Sequence, residues 1–254
     1  MPAVSDSKFL VMAGWDDVPH LTAKAKRELL DSTPMHLRAA RSKGIPVLGS
    51  GLVFAVDEES ILVEPFRVPD HWVRIGGMDF GWDHPWAMVE CAWDRDTDTF
   101  YVLRDARQRE TTPRSAWNTY EDSWDLKWLP FSWPHDGLQH DKGSGEQLAS
   151  QYKAAGFNML EERATFPESE GGGNGLEAGI SGMLDLMGSG RWKVFKTCQF
   201  WIGEFRMYHR KDGLIVKAND DTISASRYAW MMRRFARRKP TGQKVKIAKG
   251  WKSA

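Results

Sequence analysis

Apolar positions along this chain follow two rhythms, one after the other. Trp72-Val73-Arg74-Ile75, Ala87-Met88-Val89-Glu90-Cys91-Ala92-Trp93 and Phe100-Tyr101-Val102-Leu103 are short apolar runs rich in β-branched and aromatic residues. Two turn-forming stretches separate them, Gly81-Trp82-Asp83-His84-Pro85 and Asp94-Arg95-Asp96-Thr97-Asp98. Connections that short join antiparallel neighbours, so the pattern predicts a three-strand antiparallel meander. Beyond it the spacing turns helical. A helix is predicted from Pro113 to Asp125, with proline in its first turn. A buried strand follows from Trp128 to Pro134, then a helix from Gly143 to Ala155 closed by Gly156, then a strand over Phe157 to Leu160. Leu176, Ile180, Met183, Leu184 and Met187 share one face of the next helix. Trp192 to Phe195 reads as strand and Cys198 to Tyr208 as helix. Tyr208 to Val216 reads as a hairpin turning at Asp212-Gly213. The last helix is predicted from about Asp220 to Arg237. A meander followed by alternating helices and strands implies an α/β fold, a mixed sheet with helices on its faces.

Upstream of the meander the signals are weaker. Leu21, Ala25, Leu29 and Leu30 stand at helical spacing behind Thr22, a fitting N-cap. Pro34 opens a second short helix that Gly44 and Pro46 end. Two helices of this size cannot bury a core alone and must pack on something else. Residues 45–70 read as an extended connecting segment.

Composition removes several function classes. No apolar run reaches the length of about 18 residues that a membrane span needs, and the first residues lack a signal peptide's regions. Two cysteines, Cys91 and Cys198, are too few for a disulfide framework or a Cys-rich zinc site. The chain is therefore expected in the cytoplasm. Its formal net charge is only +1, but no acidic residue occurs from Arg233 onward. Such a basic tail is either solvated or in contact with a polyanion such as DNA.

The candidate chemistry is acidic. Asp79 ends an apolar strand behind Gly76 and Gly77, which leave room for something to approach the backbone closely. Asp136 follows the strand ending at Pro134, and Asp220 and Asp221 open the last helix. In a mixed sheet, strand ends and the start of a covering helix can converge. Carboxylates gathered there repel one another unless divalent cations sit among them, and oxygen-only ligands suit Mg²⁺ or Mn²⁺. Two such ions about 4 Å apart can drive phosphodiester hydrolysis. Each site also has a plain structural reading: Asp220 and Asp221 as cap and helix-dipole residues, Asp83 as a turn cap. The Asp79-Phe80-Gly81 triplet matches a kinase metal motif, but nothing else of a kinase is present. Lys142-Gly143-Ser144-Gly145 lacks the order of a phosphate loop.

Three of these stretches carry a family resemblance. Gly77-Met78-Asp79-Phe80-Gly81-Trp82-Asp83-His84-Pro85-Trp86-Ala87 resembles the first nuclease motif of the large terminase subunit of tailed bacteriophages. His135-Asp136-Gly137, with Lys142 to Gly145 and Gln151 to Gly156, resembles the second, and Asn219 to Ala229 the third. Arg41 to Pro46 with Gly49 to Phe54 is similar to the segment joining that family's motor to its nuclease. The resemblance implies a ribonuclease H-like fold and a two-metal endonuclease that cuts concatemeric double-stranded viral DNA during genome packaging in the bacterial host cytoplasm. By position, Asp79, Asp136 and Asp221 become the catalytic metal ligands, with Asp220 a neighbouring ligand, for Mg²⁺ or Mn²⁺, two ions in all. Asp83, through a water, and Ser224, where many relatives carry an acid, stand just behind them. Lys142, Arg233, Arg234, Arg237 and Arg238 are the candidate DNA contacts. The implied partners are an ATPase motor domain, the small terminase subunit and the portal. With no Gly-x-x-x-x-Gly-Lys-Ser/Thr loop, residues 1–70 read as the end of a motor and a linker, 71–237 as the nuclease domain and 238–254 as a basic tail. Two other readings stay open. One is a ribonuclease H-like docking module with weak or lost cleavage, and the other an actin-like ATPase, which lacks its further glycine loops.

Overall fold

The computed structural model describes residues 13–33, 38, 41–44, 51–82, 84–140 and 145–240. Most of the second short helix expected from Pro34, together with Asp83, Lys142 and the tail beyond 240, lies outside the described residues, although Arg41 to Lys43 are helical.

The meander forms as its pattern predicts: β2 (Val73–Asp79), β3 (Trp86–Asp94) and β4 (Thr99–Gln108) pair antiparallel in sequence order. The short β1 (Leu62–Val63) lies outside them at one end of the sheet. β5 (Pro130–Ser132) and β6 (Asn158–Met159) add parallel strands beyond β2, and β7 (Trp192–Phe195) lies parallel between β4 and β1. The order is β1-β7-β4-β3-β2-β5-β6.

The helices are α1 (Ala23–Ser32), α2 (Glu58–Ile61), α3 (Pro113–Trp124), α4 (Leu148–Ala155), α5 (Leu176–Gly188), α6 (Gln199–Met207) and α7 (Asp221–Met231). Thr22 caps α1 through the Ala25 amide, as its position suggested. A separate hairpin, β8 (Arg210–Lys211) with β9 (Leu214–Ile215), turns at Asp212 and Gly213. Both have positive φ, 52° and 81°, the geometry that selects Asp-Gly in a two-residue hairpin loop.

The period of two along a strand divides the core into two layers. Met78 and Met88 pack with Trp117, Phe131, Tyr152 and Phe157 on the α3 and α4 side. Ile75, Val89, Cys91 and Val102 pack with Ile180, Met183, Trp201 and Ile223 on the side of α5, α6 and α7. By the same alternation Ile75, Gly77 and Asp79 face the second group.

Several element limits differ from the sequence pattern. The strand before Asp136 spans only Pro130 to Ser132, because a backbone bond from Leu129 to Leu126 closes a turn before it. The next helix starts at Leu148 rather than Gly143. The last helix stops at Met231. A short 3-10 turn (Arg233–Phe235) follows, and then β10 (Arg237–Arg238), antiparallel to the start of β2. β5 covers β2 only at Gly76 and Gly77, so the start of that edge is free for β10. The segment read as a linker also gives the core Val53, Phe54 and Ile61.

One titration follows from this packing. Asp105 on β4 accepts the Trp201 amide at 2.8 Å at the start of α6. Burial still pushes its carboxyl up to about 6 from an ordinary 3.8. The folded chain therefore holds this proton more tightly than the unfolded one, and stability falls as pH rises from about 4 to about 6. Asp105→Asn keeps an acceptor for the amide. It is expected to stabilise the protein at pH 7 by up to about 3 kcal/mol and to flatten that slope. Urea melts at pH 4, 5.5 and 7 check this, and an unchanged slope in the variant would count against it.

Candidate active site

Gly77 explains how the site is assembled. A Cβ there would lie 1.9 Å from the Ala225 carbonyl oxygen and 3.1 Å from the Ala229 Cβ, so the backbone of α7 rests directly on β2. Gly76 does the same for the opposite face, where a Cβ would meet the Phe131 ring at 2.3 Å. The close approach that the two glycines suggested is thus made by α7 and by Phe131. With α7 seated on Gly77, its first residues, Asp220 and Asp221, lie beside Asp79 at the end of β2. Asp136 enters from the 3-10 turn His135–Leu138 that follows β5.

All four carboxylates line one cleft of about 750 Å³. His84, His135, Ser224, Tyr228 and the loop residues Asn174 and Gly175 line it too. Ser224 sits one turn after Asp221 on the same face of α7. The structure thereby brings together Asp79, Asp136, Asp220, Asp221 and Ser224.

The electrostatics are those of crowded acids. Burial pushes the Asp79 carboxyl well above its usual range, and the neighbouring charges of Asp220 and Asp221 push it further, against the pull of Arg227. Asp220 is raised for the same reasons, burial first and then Asp221. The described residues donate no hydrogen bond to the Asp79 carboxylate. Asp221, almost fully buried, is held differently. Arg107 donates to its Oδ2 from Nε at 2.8 Å and to the Asn219 Oδ1 from Nη2 at 3.2 Å. His84 Nδ1 lies 3.6 Å from its Oδ1.

The register shows why Arg107 can reach. Asp79 pairs with Ala87, which pairs with Arg107, so all three point the same way in one row across the sheet. That places Arg107 two strand spacings, roughly 10 Å, from Asp79 across a small alanine.

Arg107, Arg109, Lys217 and Arg227 are the cations of the cleft, and the sequence reading missed all four. Their only signals are weak: Arg107 and Arg109 alternate at the end of a strand, and Arg227 lies six residues after Asp221 on the last helix. Glu204 of α6 was missed as well. It is buried, and burial pushes its carboxyl up to about 7 despite the bonds it accepts from Thr222 and Ile223. Of the basic residues expected on DNA, Arg233, Arg234, Arg237 and Arg238 do not line this cleft. Arg233 pairs with Glu170 at 2.8 Å and stacks on Trp93 and Trp230. Arg234 donates to the Thr165 carbonyl at 2.8 Å. Arg237 and Arg238 are exposed, but Arg237 pairs with Arg74, about 17 Å along β2 from Asp79.

A family model described as the terminase RNaseH-like domain matches residues 76–233. The chain belongs to that family. It is 49% identical over 235 residues to the large terminase subunit of Salmonella phage P22, covering 90% of this chain and 46% of that protein. It is 50% identical over 218 residues to the large terminase subunit of Enterobacteria phage LP7, covering 85% and 45%. The chain thus spans about half the length of the curated relatives it matches. The solved P22 large terminase nuclease domain matches at TM-score 0.68 and 52% identity, over 75% of this chain and 96% of that one. The large terminase of the thermophilic bacteriophage D6E shares the fold at TM-score 0.54 and 14% identity, over 86% of this chain and 53% of that one. The terminase resemblance of the three motifs and the ribonuclease H-like mixed sheet, with helices on both faces, both hold.

The donor set fits hard divalent cations in kind, being oxygen-rich with no cysteine in reach. In spacing it is open: among the described residues no three His, Cys, Asp or Glu side chains stand close enough to enclose an ion. Arg107 pairs with Asp221 at 2.8 Å.

Proposed function

We propose that this chain is a divalent-metal-dependent endonuclease that cuts double-stranded DNA, the nuclease part of a phage large terminase subunit acting on concatemeric viral DNA during packaging. The observation that carries this reading is the convergence of Asp79, Asp136, Asp220 and Asp221, from three separate stretches of chain, on one cleft. Asp79, Asp136 and Asp221 are the catalytic ligands in this reading and Asp220 a supporting one, for Mg²⁺ or Mn²⁺ and two ions. Bound ions supply an activated water and neutralise the leaving oxygen. The chain's own residues do the rest. The closed row Asp79–Ala87–Arg107 sets the floor, and α7 fixes Asp220 and Asp221 against it. Exposed Arg109 and Lys217 at the rim meet phosphates without reading bases, so little sequence preference is expected. In this reading the chain works beside an ATPase motor domain, a small terminase subunit and the portal in the host cytoplasm.

Plasmid nicking and linearisation by the purified chain with Mg²⁺, Mn²⁺ or EDTA tests it, beside Asp136→Ala. Asp136 is exposed, so its loss spares the fold. Cleavage in either metal, none in EDTA and a loss of about 100-fold or more in the variant are expected. A folded protein that binds DNA but cuts under no metal would instead be a docking module of the packaging machine.

A further inference from the structure

The start of α7 is capped by a carboxylate from a different helix. Asp220 occupies the N-cap position but makes no side-chain cap bond. Glu204 of α6 takes that task. Its Oε2 accepts the Thr222 amide at 2.8 Å, the Ile223 amide at 3.0 Å and the Thr222 hydroxyl at 2.6 Å. Its Oε1 lies 3.3 Å from Arg107 Nε but accepts no hydrogen bond from it. Helix starts ordinarily use the side chain of their own N-cap residue to accept those amides. Had Asp220 done so, its carboxylate would fold back on the helix and leave the cleft. Asp and Asn are among the commonest cap residues, so an external cap is what frees it.

We propose that Glu204 is a positioning residue: by capping α7 from outside, it leaves the carboxylate of Asp220 free to serve divalent cations. This rests on the metal-dependent reading above. It touches neither DNA nor cation, and acts through α7 alone.

Two measurements on the purified chain test it: Mn²⁺ binding by titration calorimetry without DNA, and amide hydrogen exchange at Thr222 and Ile223. Glu204→Ala is expected to weaken Mn²⁺ binding at least about tenfold, the usual cost of losing a group that orients a ligand, and to speed exchange at both amides. Glu204→Gln keeps an acceptor and should stay within about threefold of the parent. Thr112→Ala, which removes the ordinary cap of α3, should loosen the fold without changing Mn²⁺ binding. Parental Mn²⁺ binding in Glu204→Ala would overturn the proposal, as would equal weakening in Thr112→Ala. If Glu204→Ala does not fold, Thr222→Val, which removes only the hydroxyl bond, decides: about threefold weaker binding supports the proposal and parental binding overturns it. A parent that binds no Mn²⁺ would bring down the metal reading itself, an outcome distinct from these.

Discussion

Replacing Asp79 with asparagine is expected to abolish metal-dependent DNA cleavage and, in EDTA, to make the protein more stable. The two effects share one cause. Asp79 sits where burial and the charges of Asp220 and Asp221 all oppose its ionised form, so its carboxyl is raised well above the usual range. A raised carboxylate means that the folded chain binds the proton more tightly than the unfolded chain. Stability then falls as pH rises from about 4, the unfolded value, up to the raised folded value, and the full cost stands above it. Asparagine carries no charge and removes that cost. Melts in EDTA should therefore show Asp79→Asn ahead by roughly 3 °C or more near neutral pH and level with the parent below about pH 4. Cleavage should drop on the order of 1000-fold, or about 4 kcal/mol of transition-state stabilisation. Added Mn²⁺ should stabilise the parent and leave the variant unmoved, because ligand binding to the folded state raises stability only where a site exists. Parental cleavage by Asp79→Asn would remove Asp79 from the chemistry. A variant no more stable than the parent in EDTA would mean that the acids are not crowded.

Gly77→Ala is the second large effect. Its new Cβ would sit 1.9 Å from the Ala225 carbonyl oxygen and 2.8 Å from the Ala225 carbonyl carbon. These are backbone atoms inside a helix, so no rotamer change relieves the clash, and α7 as a whole must lift off the sheet. Overpacking of this kind costs about 3 kcal/mol or more. Cleavage should suffer beyond what stability explains. Lifting α7 moves Asp220 and Asp221 away from Asp79, and a displacement of about 1 Å can cost about 100-fold. Gly76→Ala is the control. Its Cβ meets the Phe131 ring on the opposite face, so it should destabilise but retain more activity per folded molecule. Urea melts, with cleavage assayed well below both melting temperatures, separate the two. Equal activity loss per folded molecule in both variants would show that the seating of α7 does not set the site.

Much of this site can be read from the sequence because its signals are local. Asp79 ends a period-two run, and Asp212-Gly213 sits between short strands. Thr22 stands before a helical repeat. In each case the deciding physics acts within a few residues. The three acidic stretches were also visible as strand ends and a helix start, which is why their meeting could be expected. Their partners were not visible. Arg107 reaches Asp221 across 114 positions of chain, and nothing local marks it out from Arg104, which serves the buried Glu90 instead. Arg233 and Arg234 looked like part of a free basic tail, yet the first is absorbed by Glu170 and two indoles and the second by a backbone carbonyl.

The sequence by itself determined the meander, the order of helices and strands after it, and which carboxylates stand at element ends. It did so because backbone periodicity, turn residues and caps act over short separations. Only the tertiary structure decided what each carboxylate faces. The contact of α7 with Gly77, the row Asp79–Ala87–Arg107 and the cap that Glu204 lends to another helix all depend on register and on packing between distant segments. Electrostatic neighbours are set by that packing, because charge acts through space and takes no account of distance along the chain.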